Sequence, residues 1–450
     1  MSVTEQLARF VVESSLDDIP ENIYDEALRA IVNYMGCAIG GADEPAMVTA
    51  LDTLMPFTGK PTAQVLGRGE SCDPLYAALF NGIGSHVHEY DDTLPKNYIH
   101  PSIPVASALF AYASANREGE QVVTGKEFLQ AFILGFDVES RIGNAVYPAH
   151  YDAGWHITST TGVFGAAAAV GKLLKLDVRQ MVWAFGLAAT QAAGIREMFG
   201  SMAKSFQPGR AAQNGYTSAL LAKQDFTAGE AALEGPRGFA PVTASEYDLD
   251  KITHRLGDHY ELLDNAYKPY ACGLVVHPTI DACSQIREKY AVDPGQIEEI
   301  NLRVAPIVLD LCNKKDLKRA LQSKYSIYHA AAIGLVRGKG GLREFTEEAI
   351  ADPVLANLRS KTKAVGDEAI TGDQVDVNIQ LSSGESIHFF LEASLGNVER
   401  PLSNAQLDDK FIDQATLLLP QEQVVSLLEA CWEMKSSANV GQIVDLAVKK

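Results

Sequence analysis

No C-x-x-C pair occurs in the 450 residues, and the six cysteines, Cys37, Cys72, Cys272, Cys283, Cys312 and Cys431, are widely scattered. Several sit among apolar neighbours, as in NYMGCAIGG and LEACWEM, which fits reduced, buried thiols better than a disulfide framework. Positive charge is also scarce: 38 Lys+Arg stand against 57 Asp+Glu, a formal net charge of −19. That balance argues against a nucleic-acid binder or a basic membrane-surface protein, both of which need cations to meet phosphate. It leaves room for an anionic ligand in a locally cationic pocket. The longest apolar run, Gly162–Gly171, is ended by Lys172. It falls short of the roughly 18 residues of a membrane span and predicts a buried helix. The opening MSVTEQLARFVVESSLDDIPE has no basic region followed by an apolar one, so no signal peptide is expected and the expected location is cytoplasmic. Common cofactor motifs are missing: no G-x-G-x-x-G after a strand, no G-x-x-x-x-G-K-[ST], no H-E-x-x-H and no G-x-S-x-G. The RGKGG at 337–341 follows a helical stretch and lacks the strand that a phosphate loop needs.

What is present is a globular composition, 47% hydrophobic and 21% charged, long enough for two or three domains of roughly 100–200 residues. From Thr4 to about Ala231 apolar residues recur at three- and four-residue steps, with frequent Ala and Gly. This predicts closely packed helices. After about Leu274 the pattern changes. QIEEINLRVAP alternates at Ile300, Leu302 and Val304, and QVDVNIQLSSGESIHFFLEAS reads as a β-hairpin turning at SSGE. Helical stretches at Thr279–Tyr290 and Tyr325–Val336 lie between these strands, and the last fifty residues return to helix. The expected fold is mainly α with an α+β insertion. An all-helical domain is expected over residues 1–268 and 400–450, and an α+β domain over 269–399.

Titratable residues gather in a few places. GSHVHEYDDTLPKNYIHPS at 84–102 packs His86, His88, Glu89, Asp91, Asp92, Thr93, Lys96 and His100 between two apolar helices. Carboxylates and imidazoles held together shift one another's proton affinities, which prepares acid–base pairs. The plainer reading is a solvated, capped connection, and a third is metal ligation through His86-x-His88. In HYDAGWHITSTTG, Tyr151 and His156 precede the Ala-rich helix, whose start Ser159, Thr160 or Thr161 could cap. FGSMAKSFQPGRAAQNG places Lys204 in an expected Gly/Ser/Pro loop and Arg210 near the start of the next helix, where it could clamp a carboxylate. AYKPYACGLVVHPTIDA carries Lys268 and His277 at the change of fold character. KYSIYHAAAIGL adds Tyr328 and His329 on an apolar helix, where a lone histidine is more often a satisfied core residue.

HEYDDT…HPS, GWHITSTTGVFGAAAA, KSFQPGRAAQNG, YKPYACG and ERPLSNAQLDDKF, in this order and over essentially the whole chain, resemble the MmgE/PrpD family. The resemblance implies an all-helical domain made from both chain ends, an inserted α+β domain with a cleft between them, a homodimer, and no cofactor or metal. It implies proton removal and return at a carbon next to a carboxylate of a small di- or tricarboxylic acid. Dehydration or decarboxylation is expected, with epimerisation of a dicarboxylate such as iminodisuccinate, or mere binding on the same fold, as alternatives. By motif position it marks Asp91, His100, Tyr151, His156, Lys204 and Lys268 as catalytic. Glu89, Thr93, Gln207, Arg210 and His329 are marked as substrate-binding.

The sequence departs from the family pattern at Glu89, where many members have Asp, at Ser205 for the usual Pro, and at Gln207 for the usual His. A Gln cannot exchange protons near neutral pH, so an acid–base role at 207 is lost, which weakens the dehydratase and decarboxylase expectations. His329 stands near where some members place a Tyr.

Overall fold

The computed structural model describes residues 1–449 and divides into two compact units. Among the described residues, the first comprises 1–87, 91–265 and 403–449; the second comprises His88–Tyr90 and Ala266–Leu402. The first unit is helical, and seven of its helices matter most here: α1 (Glu21–Gly40), α2 (Pro74–His86), α3 (Ser102–Ala115), α4 (Gly125–Val146), α5 (Ile157–Leu173), α6 (Ala203–Lys223) and α7 (Asn404–Ala415). Helix α2 starts at Asp73, whose carboxylate accepts from the N–H groups of Leu75 and Tyr76, with Pro74 in the first turn where its missing N–H costs nothing. Every residue of α5 from Ile157 to Gly171 is buried, and α5 packs against α3, α4 and α6. The C-terminal α7 returns to pack on α1.

Small residues set these distances. A Cβ placed on Gly82 of α2 would lie 2.4 Å from the Cα of Gly209 in α6, so the two backbones touch. No side chain fits at either position without moving a helix.

The second unit carries a four-stranded sheet: β1 (Ile297–Val304), β2 (Thr362–Gly366), β3 (Val375–Leu381) and β4 (Ser386–Leu391), in the order β2-β1-β3-β4. β1 runs parallel to β2 and antiparallel to β3, and β3 and β4 form the hairpin with Val377 opposite Phe389. The helices His277–Tyr290 and Ile327–Arg337 pack together, and the first lies on β3 and β4.

Three local expectations change. α6 begins at Ala203 and runs through Pro208, so Lys204 and Gln207 lie in its first two turns, not in a loop, and Arg210 follows in its third. Pro208 is tolerated because, so near the start of the helix, its missing N–H removes a single helical hydrogen bond. Ser159, Thr160 and Thr161 do not cap α5; His156 occupies the N-cap position. β2 went unread because its burial is one-sided and mostly exposed at this edge. All six cysteines are free and buried, and no helix among the described residues is long and apolar enough to cross a membrane.

Candidate active site

Three elements of the first unit bring the sequence-predicted residues together. His86 ends α2, the connection 91–100 supplies Asp91 and His100, and the start of α5 supplies His156. The first turn of α5 is the hub. The Thr158 hydroxyl accepts from the His100 backbone N–H at 3.1 Å, and the Ser159 hydroxyl donates to the Gln207 carbonyl at 2.9 Å. Thr160 meets Nε2 of His150 at 2.7 Å. One helical turn thereby fixes the acidic connection, α6 and the preceding segment.

The imidazoles form a compact group: the rings of His86 and His100 are 5.0 Å apart, and those of His86 and His156 are 6.0 Å apart. Asp91 joins two of them, with Oδ1 3.2 Å from Nδ1 of His86 and Oδ2 2.8 Å from Nδ1 of His100. The same nitrogen of His100 lies 2.9 Å from the Asp92 carbonyl. Both of these oxygens are acceptors, so Nδ1 of His100 carries the proton.

His156 differs from its neighbours. Its Nδ1 meets Oε1 of Gln207 at 3.0 Å, while its buried Nε2 has no hydrogen-bond partner. Burial holds this imidazole well below the ordinary range, and the positive charges of Lys204, His86 and His100 push the same way against the weaker pull of Gln207. It is therefore neutral at neutral pH, with a lone pair on Nε2. Lys204, 4% exposed, stands over the Phe199 ring at 5.0 Å, and Phe199 meets His156 edge-on at 5.2 Å. The site thus combines a neutral base, a buried ammonium and a carboxylate-linked imidazole pair.

Around it lie further buried polar groups. The Thr93 hydroxyl is buried without a hydrogen-bond partner. Asp92 accepts from the Ser102 hydroxyl and the Asn265 amide, which partly offset burial, and its carboxyl is pushed up to about 6. Glu139 of α4 is fully buried with both oxygens unpartnered, and burial together with the nearby Asp92 raises it well above the carboxylate range. Sequence reading missed Glu139. The signal was a carboxylate spaced between Asp137 and Arg141 in the apolar stretch FILGFDVESRIGNAV.

The remaining predicted residues have other surroundings. Tyr151 is buried, with the Arg196 guanidinium 4.0 Å above its ring and Tyr98 and Tyr147 beside it. Arg210 is exposed and donates to Gln213 one turn on in α6. It lines, with Gln207 and Ser159, a pocket of about 150 Å³. Glu89, Lys268 and His329 belong to the second unit. Glu89 has a positive φ of 56° and accepts from the Tyr325 hydroxyl. Lys268 is 1% exposed. His329 uses both ring nitrogens internally, one on the Glu344 carbonyl at 2.8 Å and one on the Arg359 guanidinium at 3.2 Å. That is the surrounding of a satisfied core histidine. Lys324, overlooked in the sequence, is buried and donates to the His88 carbonyl at 2.5 Å.

His86 faces Asp91 in the first unit, and His88 belongs to the second. Among the described residues, the group with metal-holding spacing is His259, Glu261 and Asp264. There the Lys96 ammonium already sits on both carboxylates, supplying the positive charge that a cation would bring.

Known proteins resemble the chain along both units. Residues 5–251 match the MmgE/PrpD N-terminal domain and residues 270–434 the MmgE/PrpD C-terminal domain. The chain is 26% identical to a cis-aconitate decarboxylase of Aspergillus terreus, covering 99% of this chain and 95% of the relative. It is 25% identical to a cis-aconitate decarboxylase of Mus musculus, over 95% of this chain and 89% of that one. To a 2-methylcitrate dehydratase of Escherichia coli strain K12 it is 22% identical, over 90% and 89%. With both of the family's domains matched in order, the chain belongs to the MmgE/PrpD family.

Proposed function

We propose that the chain is a lyase that removes water or carbon dioxide from a small di- or tricarboxylic acid by proton transfer at the carbon next to a carboxylate. The observation that carries this reading is His156: a buried, neutral imidazole with an unpartnered Nε2, beside the buried Lys204 ammonium and the Asp91-linked pair. Lyases of this family act on substrates named for cis-aconitate and 2-methylcitrate, which supports a polycarboxylate here. Nε2 of His156 takes the proton from carbon. The electron pair passes into the adjoining carboxylate as an enolate-like (aci-carboxylate) form, which Lys204 stabilises by charge. In dehydration, the imidazolium of His100 protonates the departing hydroxyl, so the products are an alkene and water. Decarboxylation takes no proton from carbon: the bond to the departing carboxylate breaks, its electron pair stays on the substrate carbon, and one proton from the same imidazole pair takes the place of carbon dioxide. These steps use side chains alone. Lys268, Tyr151, Thr93, Glu89, Gln207 and Arg210 join the proposal on their motif positions, whereas His329, with both ring nitrogens engaged, does not; a homodimeric state and a cytoplasmic location belong to the proposal as well.

Incubation with a panel of di- and tricarboxylates in heavy water, followed by proton NMR, tests the reading. A new alkene or released carbon dioxide supports it. Exchange or inversion at the α-carbon without loss would make the chain an epimerase instead, and no reaction across the panel would leave a binding protein. Turnover that survives both H156A and K204A would overturn the assignment of the site.

A further inference from the structure

Gln207 contacts three neighbours. Its amide nitrogen donates to the Ile195 carbonyl at 3.1 Å, its Oε1 faces Nδ1 of His156 at 3.0 Å, and its backbone carbonyl accepts from Ser159 at 2.9 Å. The Ile195 carbonyl can only accept, so the amide end facing it must be the NH₂. The opposite end is then the carbonyl oxygen, and Nδ1 of His156 must bear the hydrogen. The backbone makes room for this arrangement. A Cβ on Gly194, whose φ is +129°, would come within 2.6 Å of Oε1. The His156 N–H donates to the Gly194 carbonyl at 3.0 Å, and Trp155 pairs with Ile195, so the segment that orients Gln207 is tied to the one carrying His156.

We infer that Gln207 is a positioning residue that holds His156 in its Nδ1–H tautomer and so keeps the lone pair on the buried Nε2. The inference rests on the proton-transfer reading for its functional meaning, but the tautomer itself does not. An imidazole free of partners prefers the hydrogen on Nε2, which would leave no base directed from that atom. A residue that exchanges no proton can thus still serve the site: it transmits the orientation of a backbone carbonyl to the neighbouring ring.

The test is nitrogen-15 NMR of the histidine-labelled full chain, with the His156 signals assigned by their loss in H156Q. The expected wild-type spectrum shows His156 neutral, with a protonated Nδ1 and an unprotonated Nε2. Q207A is expected to move the hydrogen largely to Nε2 and, once a substrate is found, to lower kcat about 10- to 100-fold with KM little changed. Q207E, which keeps the side-chain size, is expected to raise the proton affinity of His156 and shift the acid limb of the pH profile upward. A merely structural Gln207 would leave the hydrogen of His156 on Nδ1 in Q207A. A wild-type Nε2–H tautomer would overturn the inference without recourse to any variant, and so would a Q207A spectrum unchanged from wild type. If the tautomer is as stated but H156A retains full turnover, the proposed function fails while the inference about Gln207 stands.

Discussion

Asp91 divides its carboxylate between two rings, one oxygen 3.2 Å from Nδ1 of His86 and the other 2.8 Å from Nδ1 of His100. A carboxylate accepts at both ends, so both rings can hold their hydrogen on Nδ1 and direct Nε2 away from Asp91. An amide cannot accept at both ends. D91N keeps the shape but presents an N–H to one ring, forcing that ring to change tautomer. The expected result is a loss of roughly 100- to 10,000-fold in kcat, with KM changed only a few-fold and the melting temperature near that of wild type. Steady-state kinetics and a thermal melt of the same preparation check it. A kcat within a few-fold of wild type would show that the shared carboxylate does not prepare either imidazole.

His156 sets the sign of the pH dependence. Its proton affinity is held below the ordinary imidazole value by burial first and by Lys204, His86 and His100 after it. The working form is neutral, so activity falls as pH drops through the folded-state pKa, which lies below about 6.5. The acid limb of kcat/KM should therefore lie on the acid side of an ordinary histidine. K204M removes one of the repelling charges and should move that limb toward higher pH. A limb unchanged by K204M would mean that another group controls it.

The residue types at this site were legible in the sequence because motif spacing put them there: Asp91, His100, His156 and Lys204 all fall in one helical unit. Their division of labour was not. The pairing of His156 with Gln207 crosses 51 positions, and a Gln read as the loss of a proton carrier becomes, in three dimensions, what orients one. Strand alternation exposed the hairpin at Val375–Leu391, where one face is buried and the other open. β2 carries no such contrast. The start of α6 was hidden by Pro208, which reads as a helix break although it sits close enough to the first turn to cost a single hydrogen bond. Glu139 has no motif at all; its meaning comes from the depth at which α4 places it.

The contact of Gly82 with Gly209 couples packing to the site, because His86 lies one turn beyond Gly82 and Gln207 two residues before Gly209. A Cβ at Gly209 would meet the Leu79 carbonyl oxygen at 2.5 Å and the Ile83 nitrogen at 3.0 Å, both backbone atoms that cannot rotate away. G209A gains up to about 1 kcal/mol of helix propensity, yet overpacking of this kind costs about 1–3 kcal/mol. The variant should melt several degrees lower and lose activity through separation of His86 from His156. G229A, where a Cβ meets nothing within 4 Å, is the control and should melt as wild type does. Equal melting of the two variants would mean that the α2–α6 crossing yields at little cost.

Asp92 gives a stability prediction that needs no substrate. Its carboxyl titrates near 6 in the folded chain against 3.8 for the ordinary group, with burial as the largest cause. Between about pH 4 and pH 6 the folded state therefore holds a proton that the unfolded state has released, and folding stability falls as pH rises. D92N lacks this titration. The wild-type advantage over D92N should shrink by roughly 3 kcal/mol from pH 4 to pH 7, the value of a displacement of about two pH units, and then level off. Asparagine can still accept from Ser102 and Asn265 through its oxygen, so the hydrogen bonds to Oδ2 survive in the comparison. Urea unfolding of both proteins across this range measures the difference directly. A gap that is constant with pH would mean that Asp92 ionises in the folded chain as readily as in the unfolded one, and that its buried carboxylate is compensated by charge the surrounding residues supply.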